Sequence, residues 1–466
     1  MRHKIVLYNP RATYWTMPLA LVAIASRLDR GRYDVRIVDA RLEPDPTAAV
    51  VRELDGTLCL GITVLTGAPI LDALEVTAAA RRAQPAVPVV WGGWHPSLFP
   101  EQTLEEAGID ALVTGQGEDT FAEIVDRLAD GGSLDGIAGC HTVGAPPGAP
   151  RPMRDVNELP VHDYGLIPVG RYFTSKGQRQ LDYISSQGCR FRCAFCADPF
   201  VYKRGWYGLE PARVGEELAA HARRYGVEDV NFQDETFFTT PKRVAAIAEE
   251  LLRRDVGVTW TATMRADQGY RLDEEVLALC KRSGLRRVMI GVESGSPEML
   301  ERIKKDITVE QIFEAARKCL RHDVGVLFNL IVGLPGETPE TLAATLDVGK
   351  RLRSLSPTFE LAIFYYKPYP GNPLADLHFA AGNPCPATLL EWAEFDYVDT
   401  PSAWLDQERR RVVEGFKFYQ RIGWARPTPV RAPVQALARW RCRRDAYGLP
   451  IEKTLIERLR RPVEVT

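Results

Sequence analysis

Short apolar runs alternate with stretches of 3.6-residue periodicity along most of the chain, the pattern of βα units around a parallel sheet. Over the first 130 residues the pattern predicts strands at 4–8, 35–38, 57–64, 87–91 and 111–114. Helices are expected at 18–28, 69–83 and from about 118 to 128. Five such strands make one doubly wound α/β domain, and sheets of this kind bind ligands at their carboxyl ends. Residues 131–180 are rich in Gly and Pro (GGSLDG, GAPPGAP, RPMRD) and read as an extended connector, with a short hairpin around 139–143.

A second βα series begins at Leu181. Strands are predicted at 181–185, 229–233, 258–264, 287–292, 326–332 and 359–366, and helices at 211–225, 241–253, 273–283, 309–322 and 339–352. Six strands at this spacing suit a partial (β/α) barrel with reactive residues at the strand carboxyl ends. The alternation fades after 375. The expected organisation is therefore 1–130, a Rossmann-like domain; 131–180, a linker; 181–375, a partial barrel; and 376–466, a mostly helical cap near the substrate.

Charge narrows the function classes. Lys+Arg number 59 and Asp+Glu 61, so no global field calls for nucleic acid. The longest apolar run, Met17–Ala25, is broken by Pro18 and too short to span a bilayer; residues 1–30 lack a signal-peptide pattern, and a cytoplasmic location is expected. From Gln407 onward there are 15 Lys+Arg against 6 Asp+Glu, with Phe416, Phe418, Tyr419, Trp424 and Trp440 among them and Trp404 just before. That segment suits a solvated helical cap, and secondarily peripheral contact with a membrane or a lipid-like substrate.

The most specific signal is Ser186-Gln187-Gly188-Cys189-Arg190-Phe191-Arg192-Cys193-Ala194-Phe195-Cys196, directly after a predicted strand. Three thiols at spacings of four and three are soft ligands for an iron–sulfur cluster or zinc. A tetrahedral zinc site needs a fourth ligand, and the next His, His221, falls in a helical pattern. A four-iron cube held by Cys189, Cys193 and Cys196 keeps one iron open. Arg190 and Arg192 are expected to favour the thiolates.

With an aromatic residue, Phe195, before the last Cys, this motif resembles the signature of the radical S-adenosylmethionine superfamily. The resemblance implies a [4Fe–4S] cluster whose fourth iron is chelated by S-adenosylmethionine. One electron from an external flavodoxin- or ferredoxin-type reductant then cleaves a carbon–sulfur bond, and the resulting 5′-deoxyadenosyl radical attacks an unactivated carbon. It further implies S-adenosylmethionine contacts at later strand ends: Asp234 and Glu235 in QDET, Arg265 in TATMRADQ, Glu293 and Ser294 in GVESG, and Gly333 in GLPGET. Tyr369-Pro370-Gly371 is similar to a loop of many members.

The first 130 residues resemble the cobalamin-binding domain attached to many such enzymes. The likeness rests on Gly61-Ile62-Thr63, Gly92-Gly93-Trp94-His95-Pro96-Ser97 and Gly115-Gln116-Gly117-Glu118, and implies contacts from Thr63, Gly92, Gly93, His95, Ser97, Gly115, Gly117 and Glu118. The D-x-H-x-x-G motif is missing, so no lower axial His for cobalt is assigned. The combined resemblance implies a cobalamin-dependent radical enzyme of the class-B methylase and anaerobic magnesium-protoporphyrin ester cyclase group. Methyl transfer from methylcobalamin to a small-molecule or lipid-like substrate is the favoured activity, ahead of oxidative ring closure and of a non-catalytic iron–sulfur carrier. The two strand-end surfaces are expected to meet, with the GGWHPS loop and residues 63–67 lining one cavity shared with Cys189–Cys196.

Overall fold

The computed structural model describes residues 2–12, 16–369, 371–395, 405–426, 429–448 and 452. Packing divides the chain into two compact units. The first is Met1–Thr263 with Glu275–Arg286 and Lys367–Asp396; the second is Met264–Glu274 with Arg287–Tyr366 and Tyr397–Thr466. Trp404, Pro370 and most of the basic segment after 448 lie outside the described residues.

The first unit opens with β1 (His3–Asn9), β2 (Tyr33–Asp39), β3 (Thr57–Thr63), β4 (Val89–Gly92) and β5 (Ala111–Val113), joined at the edge by β6 (Cys140–Thr142) in the order β2-β1-β3-β4-β5-β6. Successive residues of β1 point to opposite faces, and both faces are buried. Val6 and Tyr8 join one core with Leu60, Ile62 and Trp91, and Ile5 and Leu7 join the other with Cys59, Val90 and Val113. Proline opens several helices at the positions read from sequence, as at Pro69, Pro211, Pro241 and Pro339, where its missing N–H is no loss.

The connector differs from expectation. β6 pairs antiparallel with β5, with Ala111 opposite Thr142, and a helix spans Val169–Lys176. The turn signals of GGSLDG mark a return to the sheet edge. The chain after 366 also departs from a simple cap. Its helices Pro373–Ala380 and Leu389–Ala393 belong to the first unit, where Trp392 is buried against Phe99 at 4.8 Å. Gln102 donates to Ala387 O, and Leu389 N donates to Glu106 at 2.7 Å.

The first unit continues with β7 (Gln180–Tyr183), an antiparallel hairpin of β8 (Ser186–Gly188) and β9 (Trp206–Gly208), then β10 (Asp229–Phe232) and β11 (Thr259–Arg265) up to Thr263, the last two residues of β11 being counted with the second unit. β10 pairs in parallel with β7 and β11. The second unit holds β12 (Leu285–Glu293), β13 (Gly325–Val332) and β14 (Phe359–Tyr365), also parallel, with helices Gln407–Gly423 and Ala432–Arg444. No described helix is long and apolar enough to cross a membrane.

Candidate active site

Strand carboxyl ends of the first unit open onto one cavity of about 390 Å³. Thr63, Gly92, Gly93, Ser97, Gly115, Gly117 and Glu118 all lie on its wall, together with Ser186, Gln187, Tyr202 and Glu235 from the barrel strands and the loops that follow them. Part of its wall is an apolar slot lined by Leu7, Leu21, Ile24, Val90, Val113 and Phe121. The slot depends on glycine. A Cβ at Gly61 would stand 2.8 Å from Leu7 Cδ2 and 3.1 Å from the Phe121 ring. Gly93 adopts φ 102°, and a Cβ there would approach Val64 O to 2.9 Å. Ser97 Oγ donates to Gly93 O at 2.6 Å and accepts from Gly115 N at 3.0 Å, tying two of the loops together. An apolar slot beside glycine-rich strand ends fits the flat ring of a corrinoid.

His95 is placed elsewhere. It is fully buried and absent from the wall, with Nδ1 3.2 Å from Thr66 Oγ1 and its ring against Phe99 and Trp392. Burial lowers its pKa to about 4, so it packs as a neutral imidazole. It follows the strand by three residues, and the turn after Gly93 carries it down into the core.

Asp234 and Glu235 part company. Asp234 accepts from Ser185 N and Ser185 Oγ, each at 2.7 Å, and from Ser186 Oγ at 2.5 Å, and so fixes the chain between β7 and β8. Burial raises its pKa, opposed by Arg243 and these serines. Glu235 faces the cavity and accepts from Gly188 N at 3.2 Å, one residue before Cys189. Burial and the charge of Asp198 push its carboxyl up to about 8, as befits an acid awaiting a cationic partner.

Cys193 is buried, and Cys189 and Cys196 are partly so. The three thiols lie within electrostatic reach of one another, and Cys196 is pushed well above an ordinary thiol by burial, then by Asp198 and by its two companions. The expected help from the arginines is not what governs Cys196, and the Arg190 guanidinium instead lies over Trp206, 4.7 Å from the ring centre. Bound iron would supply the positive charge this sulfur lacks. Among the described residues no three His, Cys, Asp or Glu side chains converge on one metal ion. Each ligand of a cube grips a different iron, and three thiols on one short loop fit that donor set. Phe195, between Ala194 and Cys196, is half-buried. The cysteines themselves are not on the cavity wall; Gln187, two residues upstream, is.

Sequence reasoning missed the residues that link these loops. Gln116 donates from Nε2 to Gln187 Oε1 at 2.7 Å and accepts from Arg154 N at 2.7 Å, while Trp94 meets Tyr202 edge-on at 5.7 Å. Gln116, Trp94 and Gln187 stand inside the GQGE, GGWHPS and SQGC motifs, whereas Tyr202 carried no signal in the sequence.

The remaining predicted contacts belong to the second unit. Arg265 Nε pairs with Asp267 at 2.9 Å and Nη2 donates to Lys305 O. Lys305 Nζ pairs with Glu293 at 2.7 Å, with both side chains buried. Glu293 itself has φ 63° at a register shift that ends β12. A left-handed, non-glycine residue at a strand end is strained, and such strain gathers at functional sites. Ser294 Oγ is engaged with Thr345 Oγ1 at 2.9 Å. Gly333 N donates to Glu337 Oε2 at 2.7 Å, while Glu337 Oε1 is buried without a protein partner.

Burial pushes Glu337 from 4.5 up to about 7, against the Gly333 amide and Arg409. Between those values the unfolded chain has released a proton that the folded chain keeps, so stability falls as pH rises through the window and the loss is complete above it. Glu337→Gln is expected to flatten the fall in melting temperature between about pH 5 and 8. Parallel wild-type and variant curves would contradict this.

The sequence model of the radical SAM superfamily matches residues 183–348, and that of the B12 binding domain matches residues 7–125. A protein of Pyrococcus horikoshii named as an uncharacterized methyltransferase is 33% identical over 392 residues, covering 82% of both chains. The anaerobic magnesium-protoporphyrin IX monomethyl ester cyclase of Rubrivivax gelatinosus is 31% identical over 349 residues, which span 72% of this chain but only 62% of the cyclase. Among solved structures, the radical S-adenosylmethionine methyltransferase TsrM of Kitasatospora setae, with cobalamin and a [4Fe–4S] cluster bound, superposes with a TM-score of 0.69 at 20% identity. That match covers 86% of this chain and 82% of TsrM, and establishes a shared fold. With both motif sets in order and a relative this similar over four-fifths of its length, the chain belongs to the radical S-adenosylmethionine superfamily, in the branch whose members also carry a B12-binding domain.

Proposed function

We propose that this protein is a cobalamin-dependent radical S-adenosylmethionine C-methyltransferase acting on a small molecule in the cytoplasm. The observation that carries the reading is the single cavity whose wall runs from the glycine slot of the first sheet to Gln187 and Glu235 beside the cysteine loop. When bound, the cluster and corrinoid supply the electron that cleaves S-adenosylmethionine and the methyl group that is transferred.

The chain's own part is positioning. Cys189, Cys193 and Cys196 hold the cluster. Glu235, whose carboxyl burial pushes up to about 8, would offer it to the ammonium of S-adenosylmethionine. Asp234 sets the loop leading to Cys189 through Ser185 and Ser186. Arg265, Glu293, Ser294 and Gly333 complete the cofactor contacts, and Thr63, Gly92, Gly93, Ser97, Gly115, Gly117 and Glu118 receive the corrinoid. His95 supports the last group from within the core. The domain limits 1–130, 131–180, 181–375 and 376–466 belong to the same proposal. So does peripheral membrane contact through the basic C-terminal segment, where Trp440, Arg443 and Arg444 are exposed.

The test needs no substrate. After anaerobic reconstitution with iron, sulfide and hydroxocobalamin, reduced protein given methyl-labelled S-adenosylmethionine is expected to carry the label on its bound corrinoid and to form 5′-deoxyadenosine. Iron without cobalt, or cobalt without label, would overturn the methylase. The kinship to the cyclase favours ring closure as the second reading, and cobalt binding with deoxyadenosine but no methyl label would select it.

A further inference from the structure

The stretch 189–210, which contains the three cysteines, carries Arg190, Arg192, Lys203 and Arg204, all exposed. Its carboxylates are two. Asp198 turns inward beside Cys196, and Glu210 stands at the far end, past the hairpin. Among the described residues Arg190, Lys203 and Arg204 make no ion pair, although the chain as a whole is close to neutral and many of its other arginines are paired. The cations are held together. Arg204 Nε donates to Arg190 O at 3.2 Å, and the Arg190 guanidinium lies 4.7 Å from the centre of the Trp206 ring. Arg243 stands 5.8 Å from that ring and donates to Ser185 O, so the indole is flanked by two guanidinium groups. Lys203 and Arg204 are both left-handed, at φ 48° and 60°, a conformation that costs free energy in residues other than glycine.

A local excess of positive charge on a near-neutral protein attracts a partner of opposite sign and raises its rate of encounter. We propose that this face, Arg190, Lys203 and Arg204 around Trp206, is the docking surface for an acidic one-electron carrier protein. The inference rests on the proposed function, which needs one electron delivered to the cluster per cleavage of S-adenosylmethionine. In the step, the reduced carrier loses one electron and the cluster gains one; no bond or proton changes place. A small, transient, charge-steered contact suits such an encounter, because the carrier must leave after each delivery.

The test uses the full-length protein and a reduced acidic flavodoxin as probe. In anaerobic stopped flow, Lys203→Glu/Arg204→Glu is expected to slow cluster reduction by flavodoxin at least about tenfold and to remove most of its salt dependence. Reduction by dithionite, which needs no docking, should be unchanged, as should bound iron. Arg190→Gln is expected to act in the same direction. Calorimetric binding of oxidised flavodoxin to the unreconstituted protein should weaken in parallel. Unchanged flavodoxin rates in both variants, or a wild-type rate indifferent to salt, would overturn the proposal. Tighter binding of a short single-stranded RNA than of flavodoxin would also overturn it. If no cluster forms or dithionite cannot reduce it, the functional reading fails, and the calorimetric comparison alone then decides the docking surface.

Discussion

Cys193→Ala is expected to abolish cluster assembly and every reaction that depends on it. The side chain is 7% exposed and is the middle of the three thiols. Two remaining cysteines cannot hold three corners of a cube, so bound iron after anaerobic reconstitution should fall to near zero and 5′-deoxyadenosine formation below detection. The fold should survive, because exchanging a buried thiol for a methyl removes one heavy atom and costs on the order of 1 kcal/mol. Retained secondary structure with lost iron is the expected pair of results. Full iron and radical chemistry in the variant would remove the basis for everything proposed about the cluster.

Gly92→Leu is expected to separate the two halves of the reaction. Gly92 ends β4 on the cavity wall, and a Cβ there makes only ordinary contacts, 3.5 Å to Val113 Cβ and 3.7 Å to Val113 O. The backbone therefore accepts a side chain while the slot does not remain open. Overpacking should cost at most about 1–3 kcal/mol. Cobalt retained per chain should fall at least about tenfold, which is 1.4 kcal/mol or more of binding. Iron content and deoxyadenosine formation should persist, and methyl label should no longer reach a corrinoid. Undiminished cobalt in a correctly folded variant would show that the corrinoid sits elsewhere.

Much of the fold was legible because its signals are local. Apolar runs placed β1, β3, β10 and β13 within one or two residues, and proline at the first helical turn set the starts of helices at Pro69, Pro211, Pro241 and Pro339. The hairpin β8/β9 was not legible. Its strands have three residues each and no alternation long enough to register, yet they carry Trp206 and the approach to Cys189. The site divided in the same way. Cysteine spacing and glycine motifs are properties of neighbouring residues and could be read directly. The separate duties of Asp234 and Glu235 could not, because both are acids at one strand end and only the neighbours of each distinguish them.

The sequence by itself determined the chemistry on offer: three thiols at spacings suited to a cluster, acids and glycines at strand carboxyl ends, and two βα series to carry them. Tertiary structure alone decided which of these groups share a cavity. It sent His95 into an aromatic core with Trp392, nearly three hundred residues away, and linked Gln116 to Gln187 across seventy-one. It also folded residues 367–396 back onto the first unit. The physical reason is that spacing along the chain sets what a residue can donate or bind, whereas burial, pKa and partnership depend on contacts made by segments far apart in sequence.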